Sequence, residues 1–267
     1  MKNKLLVVFC SLLFCLASTF AGQDNSFKKI QDKNRFVVGL DATFAPMGFK
    51  DEYGQLVGFD VDLAREVAKR IKVELVLQPC VWDSIFFELK NGNIDAIWNG
   101  LTMNEERQAN ALFSKPYMTN SVVVVVNEKS SINKLADLRG KRVAVQAGAP
   151  AATYVQNYQG AGFNAKMLKE LVQYPDNAMA FYDLKKGGVD VVAVDEIFAD
   201  YYIKTQKLRL RRLPDFIAKE QIGIAFRKND TTLRDKVQEA LDSMIKDGTA
   251  ARISMKWFGR DVFSTHN

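Results

Sequence analysis

The sequence predicts an α/β fold divided into two lobes, each a sheet flanked by helices, and three observations lead there. Short runs of Val, Ile, Leu and Phe alternate with stretches whose apolar residues recur every three to four positions, the pattern of alternating strands and helices. A chain of 267 residues can bury one large core or two smaller ones. Two β-branched runs, 121–126 and 222–226, stand far apart in the chain. Paired extended connections of that kind make a hinge. The expected boundaries are 28–120 with 222–267 for the first lobe, 121–221 for the second, and hinge segments near 119–126 and 219–226.

Each element has a local reason. Residues 36–40 form a short buried strand, and Gly54 marks a turn. Asp60 is placed to cap a helix with a stripe of Leu63, Ala64, Val67, Ala68 and Ile71. Residues 73–77 make the next strand, Asp83 is placed to cap a helix that stops before Gly92, and 94–98 form a strand that stops at Asn99-Gly100. In the second lobe 121–126 and 142–146 are strands, Leu135 to Leu138 a short helix, and Pro150 is tolerable in the first turn of the helix after Gly148. Residues 179–186 are helical up to Gly187-Gly188, and 189–194 form a strand that hands over to a helix at Asp195. Asp230 is placed to cap a long amphipathic helix (Leu233, Val237, Leu241, Met244, Ile245), and a last short helix carries Ile253 and Trp257.

The first 21 residues are expected to be a signal peptide. Lys2 and Lys4 precede an apolar run from Leu5 to Phe20, and small residues lead to a cleavage point after Ala21. Lipid attachment at Cys15 is the competing reading, opposed by bulky Phe14 before it. Cleavage removes Cys10 and Cys15 and leaves Cys80 alone, so no disulfide within the chain can form. Taking Lys2 and Lys4 from the 37 basic residues leaves about +4 against 31 acidic ones. The basic residues are scattered except at 207–212, which argues against a nucleic-acid partner. His266, the single histidine, has no co-ligands for a metal, and Cys80 has no histidine to activate it. No cofactor is expected.

Chemistry concentrates between Asp95 and Tyr117. A strand end, the loop at Asn99-Gly100, the hydroxyl of Thr102 and the guanidinium of Arg107 converge where a helix begins. Free N–H groups and positive partial charge at that point suit a carboxylate, and Arg adds a two-pronged grip. The ordinary alternative is a surface pair of Arg107 with Glu105 or Glu106. Asp195 lies at a strand-to-helix junction, where it faces a cleft or simply caps the helix.

Taken in order, Gly58-Phe-Asp-Val-Asp-Leu63, the block 95–107 with Ser114-Lys-Pro-Tyr117, Gly140-Lys-Arg-Val-Ala-Val145 with Gly148, the block 189–195, and Lys256-Trp257 resemble the periplasmic solute-binding proteins of the polar amino-acid type, which feed ABC importers. The resemblance spans residues 35–259 and implies a two-lobed periplasmic-binding-protein fold of type II. It implies that Arg107 binds the carboxylate of a free L-amino acid, aided by the Thr102 hydroxyl and the Asn99-Gly100 backbone, while Asp195 binds the ammonium from the other lobe. It implies also that Phe44 and Trp82 sandwich the ligand side chain and that Asp41 meets its polar tip; the residues alone leave core and turn roles open for these three. Where relatives usually carry Ser or Thr, this chain has Ala149 and Pro150, so the carboxylate would lean on the Gly148–Ala149 backbone. The implied protein is a periplasmic monomer that is not an enzyme, takes a basic or amide amino acid (arginine, lysine, glutamine or histidine), and delivers it to a membrane permease. The competing class is a cyclohexadienyl or arogenate dehydratase on the same scaffold, whose general acid would have to come from Glu52, Glu88 or Glu196. A sensory ligand domain is the third class.

Overall fold

The computed structural model describes residues 24–160 and 162–263. The expected signal peptide 1–21, with Cys10 and Cys15, and His266 lie outside the described residues. The strands in chain order are β1 (Arg35–Leu40), β2 (Thr43–Phe44), β3 (Gly48–Lys50), β4 (Leu56–Val57), β5 (Glu74–Pro79), β6 (Ala96–Thr102), β7 (Leu112–Phe113), β8 (Met118–Asn127), β9 (Arg142–Gln146), β10 (Gln159–Gly160), β11 (Phe163–Asn164), β12 (Glu170–Tyr174), β13 (Val191–Asp195) and β14 (Leu210–Phe226). The helices are α1 (Ser26–Lys33), α2 (Phe59–Ile71), α3 (Ile85–Asn91), α4 (Glu105–Asn110), α5 (Pro150–Asn157), α6 (Asn177–Lys186), α7 (Glu196–Thr205), α8 (Thr231–Lys246) and α9 (Thr249–Phe258).

One sheet runs β12-β9-β13-β8-β14-β6-β1-β5, with β7 also paired to β14. At one end β5, β1 and β6 are parallel; at the other, β12, β9 and β13 are parallel. The central strands β8 and β14 are antiparallel to each other and to their flanking neighbours, so these two join the two parallel ends of the sheet. Parallel strands covered by helices on both faces read as continuous apolar runs, as in β6, β9 and β13. Helices α1, α2, α8 and α9 pack together on the first lobe, so the C-terminal helices return to the half where the chain began. Helices α5, α6 and α7 cover the second.

Several local readings are corrected. Asp60 does not cap α2; Gly58 stands at the cap, and the Asp60 carboxylate is buried between the Gly100 N–H (2.6 Å) and the Tyr117 hydroxyl (2.8 Å). Asp83 lies in a tight turn before Ser84, which occupies the cap of α3. Strand β6 does not stop at Asn99-Gly100 but continues through Thr102, with Gly100 at φ +60°. Asp230 makes no side-chain cap bond because Arg227 Nε takes its carboxylate at 2.7 Å. Ile245 is exposed, not part of the buried stripe of α8. The basic stretch 207–212 serves structure: Arg211 donates to the carbonyls of Ser130 and Ile132, and Arg212 pairs with Glu196 and Asp200.

Candidate functional site

The ends of β1, β6, β9 and β13 meet across a narrow cleft, and a cavity of about 280 Å³ lies between them, lined by Asp41, Phe44, Trp82, Asn99, Gly100, Thr102, Arg107, Gln146, Ala149, Pro150 and Asp195. Nine of the ten residues singled out from sequence lie on its wall. Gly148 does not; it lines an adjoining larger recess and reaches Arg107 through its carbonyl. Gln146 and Pro150 are additions.

Arg107 is 8% exposed, which removes the reading of a surface pair with Glu105 or Glu106. Asn104 caps α4 by accepting from the Arg107 N–H, so the residue starts from a fixed backbone. Its guanidinium donates to the Thr102 carbonyl (3.1 Å) and, across the cleft, to the Gly148 carbonyl (3.0 Å). The rings of Trp82 and Phe86 lie 5.8 Å and 5.6 Å from its central carbon. Aromatic faces near a cation attract it and keep water away. Burial pushes the guanidinium pKa down, and the carboxylates of Glu220 and Asp195 pull it back up.

Asp195 is not acting as a helix cap, since its side chain makes no cap hydrogen bond. Its carboxylate accepts from Asn120 Nδ2 at 2.5 Å. Asn120 Nδ2 also donates to Glu220 at 2.9 Å, and the Thr102 hydroxyl donates to Glu220 at 3.0 Å. Register explains the convergence: Glu220 on β14 faces Asn120 on β8, Asp195 on β13 faces Val122 on β8, and Ile222 on β14 faces Thr102 on β6. Burial and the neighbouring Glu220 hold the Asp195 carboxyl well above the usual carboxylate range, and burial pushes Glu220 the same way. Glu220 went unseen in the sequence, although alternation through Ile224 and Ile222 puts it on their buried face.

The side-chain end of the cavity holds Asp41, whose carboxylate accepts from the Thr43 hydroxyl (2.7 Å) and from Gln146 Nε2 of the opposite lobe (2.8 Å). Asn177 Nδ2 in turn donates to Gln146 Oε1 at 2.8 Å, so this amide is held on both sides. Phe44 is 6% exposed and stacks on Phe198 of α7, centroids 5.6 Å apart. Its ring explains the glycine at position 100, where an added Cβ would stand 2.8 Å from Phe44 Cε1. Glu52, Glu88 and Glu196 are absent from the cavity wall. Glu88 bonds Asn93, and Glu196 is paired with Arg212. No helix among the described residues is long and apolar enough to cross a membrane.

Known proteins share this sequence and shape. The L-cystine-binding protein TcyJ of Escherichia coli (strain K12) is 32% identical over 237 residues, covering 88% of this chain and 86% of that protein. The arginine-binding extracellular protein ArtP of Bacillus subtilis (strain 168) is 32% identical over 268 residues, covering 96% and 98%. A crystal structure of an ABC uptake transporter substrate-binding protein from Streptococcus pneumoniae with bound histidine superposes with a TM-score of 0.85 at 36% identity, covering 90% of this chain and 98% of that one. These relatives are binding proteins rather than enzymes. With residues 36–260 matching the family itself, the chain belongs to the bacterial extracellular solute-binding proteins, family 3.

Proposed function

We propose that this protein is a periplasmic receptor for a basic or amide L-amino acid, which it holds between two closing lobes and delivers to the permease of an ABC importer. The observation that carries the reading is that Arg107 and Asp195, from opposite sides of the cleft, line one cavity. A zwitterion removed from water requires a partner at each end. Arg107 is assigned to the carboxylate and Asp195 to the ammonium. The Ala149-Pro150 pair offers no hydroxyl, which leaves the carboxylate to Arg107 and the backbone before Pro150. Two acidic side chains, Asp41 and Asp195, share the cavity wall with a single guanidinium, and Glu220 stands behind Asp195; that balance favours a ligand with an extra positive charge over an acidic one. The permease would recognise the closed form, and the protein would act as a monomer.

The test is a thermal-shift screen of the twenty amino acids. A ligand at a hundred times its Kd stabilises by about 2.7 kcal/mol, or roughly 5–10 °C for a chain this size. Arginine, lysine, glutamine or histidine is expected to give that shift, and Arg107→Ala and Asp195→Ala are each expected to lose it while keeping a native circular-dichroism spectrum. Stabilisation by aspartate and glutamate alone would overturn the side-chain assignment. Turnover of prephenate or arogenate would overturn the binding-protein reading itself.

A further inference from the structure

Glu220 is absent from the cavity wall yet sits directly behind it. It is 5% exposed, on the strand β14 that joins the lobes, and one amide nitrogen, Asn120 Nδ2, touches both it and Asp195. Two carboxylates that share one buried donor repel each other, and with no cation between them one keeps its proton. Among the described residues the charged and titratable groups facing this pair are few. Arg107 approaches from α4, with Glu106 acting on it in turn, and Tyr154 from α5, while Glu196 follows Asp195 on α7; Lys219 is the neighbour on β14 and Arg260 lies beyond α9. Arg107 is shared with the ligand's carboxylate, Glu196 is tied to Arg212, and Tyr154, pushed up to about 12 by burial and by Glu220, stays neutral.

We propose that Glu220 is a positioning residue for the ammonium end of the cleft: in the ligand-free protein it shares one proton with Asp195, and an incoming ammonium takes that proton's place, so binding an amino acid releases a proton. The balance is simple. A protonated pair and an ammonium ligand become a doubly ionised pair holding the ammonium, plus one proton in solvent. The exit is at hand, since Glu220, Thr102 and Asn120 also line a recess on the hinge side, bounded by Lys219 and Arg260. The Thr102 hydroxyl proton is committed to Glu220, which leaves that oxygen as an acceptor for the ammonium rather than a donor to the carboxylate. This inference rests on the receptor reading above.

Titration calorimetry with L-arginine at about pH 6 in two buffers of different ionisation enthalpy counts the protons; the ligand's own α-ammonium, with an ordinary pKa of roughly 8, stays intact. Wild type is expected to release about one proton per arginine, and its affinity to rise about tenfold per pH unit while the pair still holds its proton. Glu220→Gln leaves Asp195 without a carboxylate neighbour and is expected to release clearly fewer protons than wild type, whatever its affinity. Binding by wild type with equal heats in both buffers, or an unchanged proton count in Glu220→Gln, would overturn the proposal. Should Glu220→Gln not fold, the wild-type buffer comparison decides by itself. If no amino acid binds at all, the receptor reading falls and this one with it, whereas binding without proton release defeats only this one.

Discussion

Asp60 shows how a single side chain ties the cleft to the core. Its carboxylate fixes the Gly100 N–H and the Tyr117 hydroxyl, so the backbone turn that lines the cavity is anchored from beneath. Burial pushes its pKa from 3.8 up to about 7, against the pull of those two hydrogen bonds. The sign follows from linkage: between those values the folded chain keeps a proton that the unfolded chain has lost. This carboxyl therefore favours folding most below pH 3.8, and the advantage is lost as pH rises through about 7. Urea unfolding of wild type and Asp60→Asn across that window is the check. The variant is expected to lose stability less steeply with rising pH, and parallel curves would contradict the assignment. At the same scale, Arg107, Thr102 and Asp195 were legible because family motifs carry them, whereas Glu220 was not. It sits in the polar stretch Ala218-Lys-Glu-Gln221, which looks like solvent-facing loop until strand alternation into Ile222 and Ile224 is followed backwards. Gln146 was missed for a related reason: at the end of an apolar strand a polar residue looks like the start of a turn.

At the scale of elements, the strand ends and helix starts that meet at the cleft decide how closely the lobes approach. Gly148, between β9 and α5, has φ +72°, and an added Cβ would lie 2.7 Å from the Asp83 Cα of the opposite lobe. Gly148→Ala therefore meets both backbone strain and a backbone obstacle. The strain of a left-handed non-glycine residue, about 1–3 kcal/mol, weighs on open and closed forms alike, so it is the obstacle at Asp83 that opposes closure, and affinity for L-arginine, followed by calorimetry, is expected to fall. An unchanged affinity would show that the lobes need not approach this closely. Amphipathic periods made α2 and α8 and the apolar runs of β1, β9 and β13 readable. The length of β14 was not, because Pro214 and the register shifts between Arg212 and Ala218 interrupt its pattern. The strand β12 was passed over because its alternation is weak and its residues are only partly buried.

For the whole molecule, β8 and β14 matter most, since they join the two parallel sheet ends and carry Asn120 and Glu220 opposite each other beneath the ammonium end of the cleft. Contacts already cross the cleft, among them Arg107 to Gly148, Asp41 to Gln146, Phe44 on Phe198 and Phe49 against Tyr201. A ligand that adds bridges of its own would favour this closed arrangement by its difference in affinity for the closed and open forms. That two lobes exist was readable from the alternation of elements; that side-chain contacts already span them was not, because each joins residues far apart in the chain. A crystal structure of the complex with L-arginine tests the central claim most directly. The expected result is one molecule with its carboxylate on the Arg107 guanidinium and its ammonium on Asp195, while a ligand held entirely by one lobe, or with these two ends exchanged, would contradict it.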